Sequence, residues 1–241
     1  MPTLRAAGLQ TLGVAIFEAL GATPANADGA MTSLIGADLA GHPSHGVLRI
    51  PGYVEEIRAG TLRPAAVSTV THETPATATI HGAATFGQIG ARLGATVAAQ
   101  KARDLGLGAA ATFGGAHTGR IDEWAEIGAR EGFITFAAAS TTHGPMLVVP
   151  FGGVRAALGP NPFAWALPRA GGEPPILLDY ATSAVARGNL LVARAAGKPT
   201  GSPSRRGGSS TATASPRPTW RISSPVGCSC RSRGIKATRW R

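Results

Sequence analysis

Between Gly36 and Tyr53 the chain reads GADLAGHPSHGVLRIPGY. Two histidines, an aspartate, a serine, an arginine and a tyrosine stand there among glycines and prolines. This puts proton donors, a permanent cation and sharp backbone turns within a few residues of each other. The mixture suits a site that moves a proton on a small carboxylate-bearing molecule. Histidine titrates near neutrality and is the usual proton carrier. The planar fork of arginine matches a carboxylate. If the segment after Ser44 is helical, His45, Arg49 and Tyr53 fall at i, i+4 and i+8 and project from nearly one face. On these residues alone, a capping serine beside a surface histidine and arginine fits the segment equally well.

Two more segments carry polar chemistry. His117 follows a glycine pair on an expected strand-to-helix loop, where functional residues concentrate, although a lone histidine there is more often structural. Asp179, Tyr180, Ala181, Thr182 and Ser183 close an apolar strand and open an expected helix. Small residues at such a junction admit a pyrophosphate, and helix N-terminal N–H groups favour an anion; Thr182 and Ser183 as simple N-caps is the plainer reading. No G-x-G-x-x-G follows a first strand, so the dinucleotide fingerprint is absent. His42, His72, His81 and His143 have no metal-ligand spacing. Cys228 and Cys230 alone make a poor zinc site, since zinc takes four ligands.

The elements that must hold these residues follow from periodicity. Helices are expected over residues 4–20 and 25–39, the second with Met31, Leu34 and Ile35 on one face. A third runs through Tyr53 to Ile57, with Pro51 tolerated in its first turn. Strands are expected at 67–71 and 77–80, a long alanine-rich helix at 86–105 ended by Gly106, and a short buried strand at 108–113. A helix at 121–130 follows, then strands at 133–140, 156–158, 164–167 and 176–179, and a helix at 183–196. Alternating strands and helices imply an α/β fold. Leu9, Leu12, Ile16 and Leu20 recur at helical spacing and Glu18 interrupts the apolar stretch, so the N-terminus reads as an amphipathic helix rather than a signal peptide. No run is long enough to span a membrane.

The net charge of +10 would ordinarily point to nucleic acid, but its distribution does not. Residues 200–241 hold nine of the 23 cations and none of the 13 acids, leaving residues 1–199 with a net of +1. Both cysteines also lie beyond residue 200, so the body has no disulfide framework and a reducing cytoplasm is expected. The 200–241 segment is rich in Ser, Arg, Pro, Gly and Thr, shows neither hydrophobic period, and is expected to be disordered.

Five motifs in order resemble the type 2 malate/L-lactate dehydrogenases: the Gly36–Tyr53 stretch, GGAHTGRIDEWAE from Gly114, VVPFGG from Val148, GPNPFAWALP from Gly159 and LLDYATSAVARG from Leu177. The HTGR and LDYATS wording is nearest to the hydroxycarboxylate dehydrogenase B branch. Pro160 stands where the family commonly has threonine. The resemblance implies a non-Rossmann α/β fold, a small 2-keto or 2-hydroxy acid substrate, NAD or NADP as cofactor, no metal, and a homodimer. It implies His45 as proton donor, with Ser44, Arg49 and Tyr53 at the substrate. His117 becomes a second acid/base or substrate contact, and Asp179 a residue that orients a histidine or meets the cofactor. Gly119, Arg120, Ile121, Tyr180, Ala181, Thr182 and Ser183 fall on cofactor-contacting segments. The expected organisation is an N-terminal helical segment with the substrate loop (1–75), an incomplete NAD(P)-binding α/β domain (76–199), and the basic tail (200–241). The rival readings are a non-catalytic remnant and, through the tail, a nucleic-acid-binding protein.

The tail also carries a coding signal. When each codon's third base is joined to the first two bases of the next codon, Gly208 to Thr219 can read IVDGDGEPTTD. Thr219 to Arg241 can then read LADFLAGGVLLPLAGH, a glutamine or lysine, and GYALA. That is an acidic turn followed by an apolar run, ending in an H-K-G-Y element of the kind the family uses at its cofactor site. A shift of reading frame near Gly197 to Pro199 is therefore expected, on a chain expected to end short of its relatives.

Overall fold

In the computed structural model, the described residues are 4–141, 146, 148–181 and 197. The chain divides into two units, residues 1–201 and 202–241, and all described residues belong to the first. The expected helix at 183–196 and the basic tail lie outside the described residues.

The N-terminal layer is helical. Helix α1 spans Ala6–Ala19 and α2 spans Pro24–Leu39. Thr23 caps α2, accepting the Asn26 N–H at 3.2 Å, and Pro24 takes the first helical position, where its missing N–H costs nothing. Met31 and Leu34 are fully buried and Ile35 nearly so, as the spacing predicts. On α1 the buried stripe differs from the expected one. Phe17 is the fully buried residue, Leu9 and Ile16 pack against the core, and Leu12 is 59% exposed.

The chain then makes two single 3-10 turns, Pro43–His45 and Val47–Arg49, before helix α3, Ile50–Arg58. The continuous helix after Ser44 does not form. Gly46 between the turns is extended, with ψ −156°. Asp38 of α2 reaches across to accept the Val47 N–H at 2.9 Å, so this carboxylate substitutes for the helical bond the break removes. Pro51 sits in the first turn of α3 as expected.

Strand β1 (Thr69–Glu73), two residues later than the spacing predicts, pairs antiparallel with β2 (Thr77–His81), which begins where expected. Helix α4 (Gly87–Leu105) crosses over to β3 (Ala109–Phe113), which runs parallel to β2. Gly106 closes α4 in the left-handed region, at φ 76°. The expectation of a buried β3 fails, because among the described residues β3 is an edge strand and Phe113 is half exposed.

Helix α5 (Asp122–Arg130) packs on a second, wholly antiparallel sheet of β4 (Thr135–Ala138), β5 (Pro162–Leu167) and β6 (Ile176–Ala181). The expected strand at 156–158 reduces to one bridge, Val148 to Leu158. Among the described residues the strands and helices thus serve two three-stranded sheets.

Two cores result. One joins Phe17, Met31, Leu34, Tyr53, Leu62 and Phe86. The other joins Ile121, Trp124, Ala125 and Ala129 of the α5 region to Ala164 and Ala166 of β5.

Candidate active site

Tyr53 shows how the first core reaches the site. Its ring is 1% exposed and packs against Phe17 and Phe86, with centroids 6.2 and 5.9 Å away. Its hydroxyl leaves that core and meets His117 Nδ1 at 2.8 Å and Gln88 Nε2 at 2.8 Å. Gln88 lies in the first turn of α4 and is completely buried. A side chain on neighbouring Gly87 would fall 2.2 Å from the Ala116 carbonyl oxygen. Only glycine lets α4 start this close to the loop carrying His117. The Trp124 indole N–H also holds that loop, donating to the Thr118 carbonyl at 3.0 Å.

The two candidate histidines come together although 72 positions separate them in sequence. The His45 and His117 rings stack with centroids 5.4 Å apart and planes inclined by 15°. Ser44 is buried and its Oγ lies 3.0 Å from His45 Nδ1. Burial first, and then the Arg49 guanidinium, push the His45 imidazole down from 6.5 to about 4. It is therefore neutral near pH 7. Two stacked imidazoles this close also disfavour simultaneous protonation. The Tyr53 phenol is pushed up to about 12 by burial, with Arg49 among the groups acting on it in the opposite direction. Arg49 thus acts on both His45 and Tyr53, from a 3-10 turn rather than from the helix face that the sequence suggests.

On the other side stands an ionic group. Arg120 is nearly buried and pairs with Asp122 at 2.7 Å and Glu126 at 3.7 Å. Its Nε has no hydrogen-bond partner among the described residues. Asp179 on β6 accepts the Asp122 N–H at 3.4 Å, so this carboxylate sits over the N-terminus of α5. Burial first, then the Asp122 carboxylate, hold the Asp179 carboxyl above the ordinary range. His42 is within electrostatic reach of both Asp179 and His45.

Gly119 adopts φ 78° and its N–H turns back to His117 Nδ1 at 3.3 Å. Ile121 is buried in the second core. Tyr180 alternates to the sheet face opposite Asp179, with its ring 4.2 Å from Phe163; Ala181 pairs with Pro162. Tyr180 is therefore not gathered with the histidines. Thr182 and Ser183 lie outside the described residues.

Gln88, Asp38, Asp122 and His42 join the site through the fold. Asp122 directly follows the Gly119-Arg120-Ile121 segment, and Asp38 and His42 fall within the Gly36–Tyr53 stretch, whereas Gln88 offers the sequence only a lone amide in the first turn of an alanine-rich helix.

Over residues 4–224 the chain matches the family described as malate/L-lactate dehydrogenase. It is 38% identical over 185 residues to hydroxycarboxylate dehydrogenase B of Escherichia coli O157:H7, covering 77% of this chain and 51% of that protein. It is 36% identical over 199 residues to the (2R)-3-sulfolactate dehydrogenase (NADP(+)) of Chromohalobacter salexigens, covering 79% of this chain and 56% of that protein. The fold superposes on malate dehydrogenase from Pyrococcus horikoshii OT3 with a TM-score of 0.73 at 33% identity, over 78% of this chain and 53% of that one. The chain spans about half the length of the relatives it matches.

Proposed function

Since the chain belongs to the malate/L-lactate dehydrogenase family, we propose that it carries the substrate-binding and proton-transfer part of an NAD(P)-dependent 2-hydroxycarboxylate dehydrogenase. The observation supporting this reading is the stacked pair of His45 and His117 beside Arg49. Arg49 binds the substrate carboxylate through its planar fork. His45, neutral near pH 7, takes the hydroxyl proton during oxidation of the alcohol and returns it to the carbonyl oxygen during reduction. A bound carboxylate offsets the Arg49 charge, so substrate binding raises the basicity of His45 at the moment it is needed. Ser44 holds His45 Nδ1, and His117 completes the polar wall.

The residues fit a dinucleotide in two respects. Arg120 has a buried Nε with an unused donor, and Gly119 presents a left-handed turn beside it. Arg120 Nη1 pairs with Asp122 at 2.7 Å and Nη2 lies 3.7 Å from Glu126, so Gly119, Arg120 and Ile121 would hold the cofactor through backbone groups and the guanidinium N–H donors left over. Thr182 and Ser183, outside the described residues, are carried as cofactor contacts on the sequence resemblance alone. When bound, the nicotinamide exchanges a hydride with the substrate's C2. The substrate half then draws on residues 1–75 and the cofactor half on 76–199. A cytoplasmic homodimer completes the reading.

The test follows nicotinamide absorbance at 340 nm with pyruvate, oxaloacetate, sulfopyruvate and hydroxyphenylpyruvate, using an enzyme of the relatives' full length that carries this N-terminal half. His45→Ala should lower kcat by roughly 10²–10⁴, the usual worth of a general acid or base, while cofactor affinity holds. Arg49→Ala should act mainly on KM. Near-normal turnover in the His45 variant would transfer the proton role to His117.

Fluorescence titration with NADH and NADPH tests the cofactor side of this reading independently of turnover: saturable binding is expected, and its absence would count against the reading.

A further inference from the structure

One backbone N–H fixes the direction of a buried hydrogen-bond chain. The Gly119 N–H can only donate, and it points at His117 Nδ1 at 3.3 Å. Nδ1 must therefore be an acceptor, and in the neutral ring the proton sits on Nε2. The Tyr53 hydroxyl, 2.8 Å from the same Nδ1, must then donate its hydrogen there. Its oxygen is left to accept, which requires Gln88 to present its amide Nε2, again at 2.8 Å. The opposite amide orientation would set Nδ1–H against the Gly119 N–H. Burial keeps the Tyr53 phenol protonated across the ordinary pH range. Gln88 Oε1 has no hydrogen-bond partner among the described residues, a burden that a residue chosen only for packing has no cause to carry.

We propose that Gln88 and Tyr53 are positioning residues that lock His117 in its Nε2–H tautomer. They act through hydrogen bonds rather than by touching substrate. Tyr53, expected from the sequence to contact substrate, is instead assigned to the support of His117. This inference rests on the functional reading above only for its catalytic consequence; the tautomer itself is independent of it.

The experiment is 15N NMR of the imidazole nitrogens in the 241-residue chain at pH 7.5. The wild type should show His117 Nδ1 at the shift of an unprotonated ring nitrogen and Nε2 at that of a protonated one. Gln88→Glu gives the Tyr53 hydroxyl a carboxylate to donate to, so that its oxygen can accept from Nδ1–H, and Tyr53→Phe removes the shorter of the two bonds that Nδ1 accepts. Either variant should move the two shifts towards each other as the second tautomer becomes populated. In an enzyme of the relatives' full length Gln88→Glu should lower kcat about tenfold with KM nearly unchanged. A wild-type spectrum with the proton on Nδ1 overturns the proposal without any variant having to fold. Unchanged His117 shifts in both variants would overturn it too. If the wild type shows the Nε2–H tautomer but no 2-hydroxy acid is turned over, the functional reading fails and the positioning chain stands.

Discussion

Replacing His45 with Asn should change how the stability of this protein depends on pH. The native ring titrates at about 4 against 6.5 when unperturbed, with burial the main cause and Arg49 the second. Between these values the unfolded chain binds a proton that the native chain refuses, so stability falls as pH falls. The contribution is fully present above pH 6.5 and is lost progressively towards pH 4. From pH 7.5 to pH 5 the loss amounts to about 2 kcal/mol, at roughly 1.4 kcal/mol per pH unit. Urea unfolding followed by tryptophan fluorescence, run on wild type and His45→Asn at both pH values, isolates this amount as a double difference. Other titrating groups cancel to the extent that they do not couple to His45. The wild type should lose about 2 kcal/mol more than the variant on going to pH 5. A double difference that stays flat, or has the opposite sign, would refute a desolvated neutral His45. Arg49→Gln gives an internal check, since it should raise the His45 midpoint seen by NMR yet leave it below 6.5, because burial remains.

Asp179→Asn should have the reverse pH signature. Its carboxyl is raised by burial and by Asp122, so the stability it contributes is present below the unfolded carboxyl value and is lost as pH rises. The variant should therefore gain on wild type in thermal melts between pH 4 and pH 7; a variant that loses ground over that interval would contradict the assignment. The tail makes a prediction about nucleic acid sequence rather than protein. DNA covering codons 187–205 should carry an insertion or deletion relative to an intact relative, with the alternative frame downstream reading IVDGDGEPTTD and then LADFLAGGV. An uninterrupted frame with no such reading would end that proposal.

How far the sequence reaches depends on the range of the interactions. Helices α1, α2 and α4 were legible because their apolar spacing, Pro24 at the first position of α2 and Gly106 at the end of α4 are local signals. The grouping of His45, Arg49 and Tyr53 was legible for the same reason. The path between them was not, because the tie from Asp38 to Val47 and the break at Gly46 compete with helix propensity only once α2 has folded back. Likewise, β3 reads as apolar, yet nothing local says that it ends a sheet and leaves Phe113 half exposed. Gln88 was invisible for a stronger reason. Its partner Tyr53 lies 35 positions earlier and the next member, His117, 29 later.

These long-range ties bind stability and chemistry together at one side chain. The Tyr53 ring is a core element, packed against the touching pair of Phe17 in α1 and Phe86 at the start of α4, while its hydroxyl is the middle link between Gln88 and His117. Ring and hydroxyl cannot be adjusted separately. A cavity at Phe17 would let the Tyr53 ring shift towards the vacated space, and a displacement of half an ångström is enough to weaken hydrogen bonds of 2.8 Å. The helical layer therefore does more than support the substrate loop from outside. Through Tyr53, the packing of Phe17 and Phe86 sets the position of His117, 100 positions beyond Phe17 in sequence. This explains why a buried tyrosine, rather than a phenylalanine of nearly the same volume, occupies this place in the core.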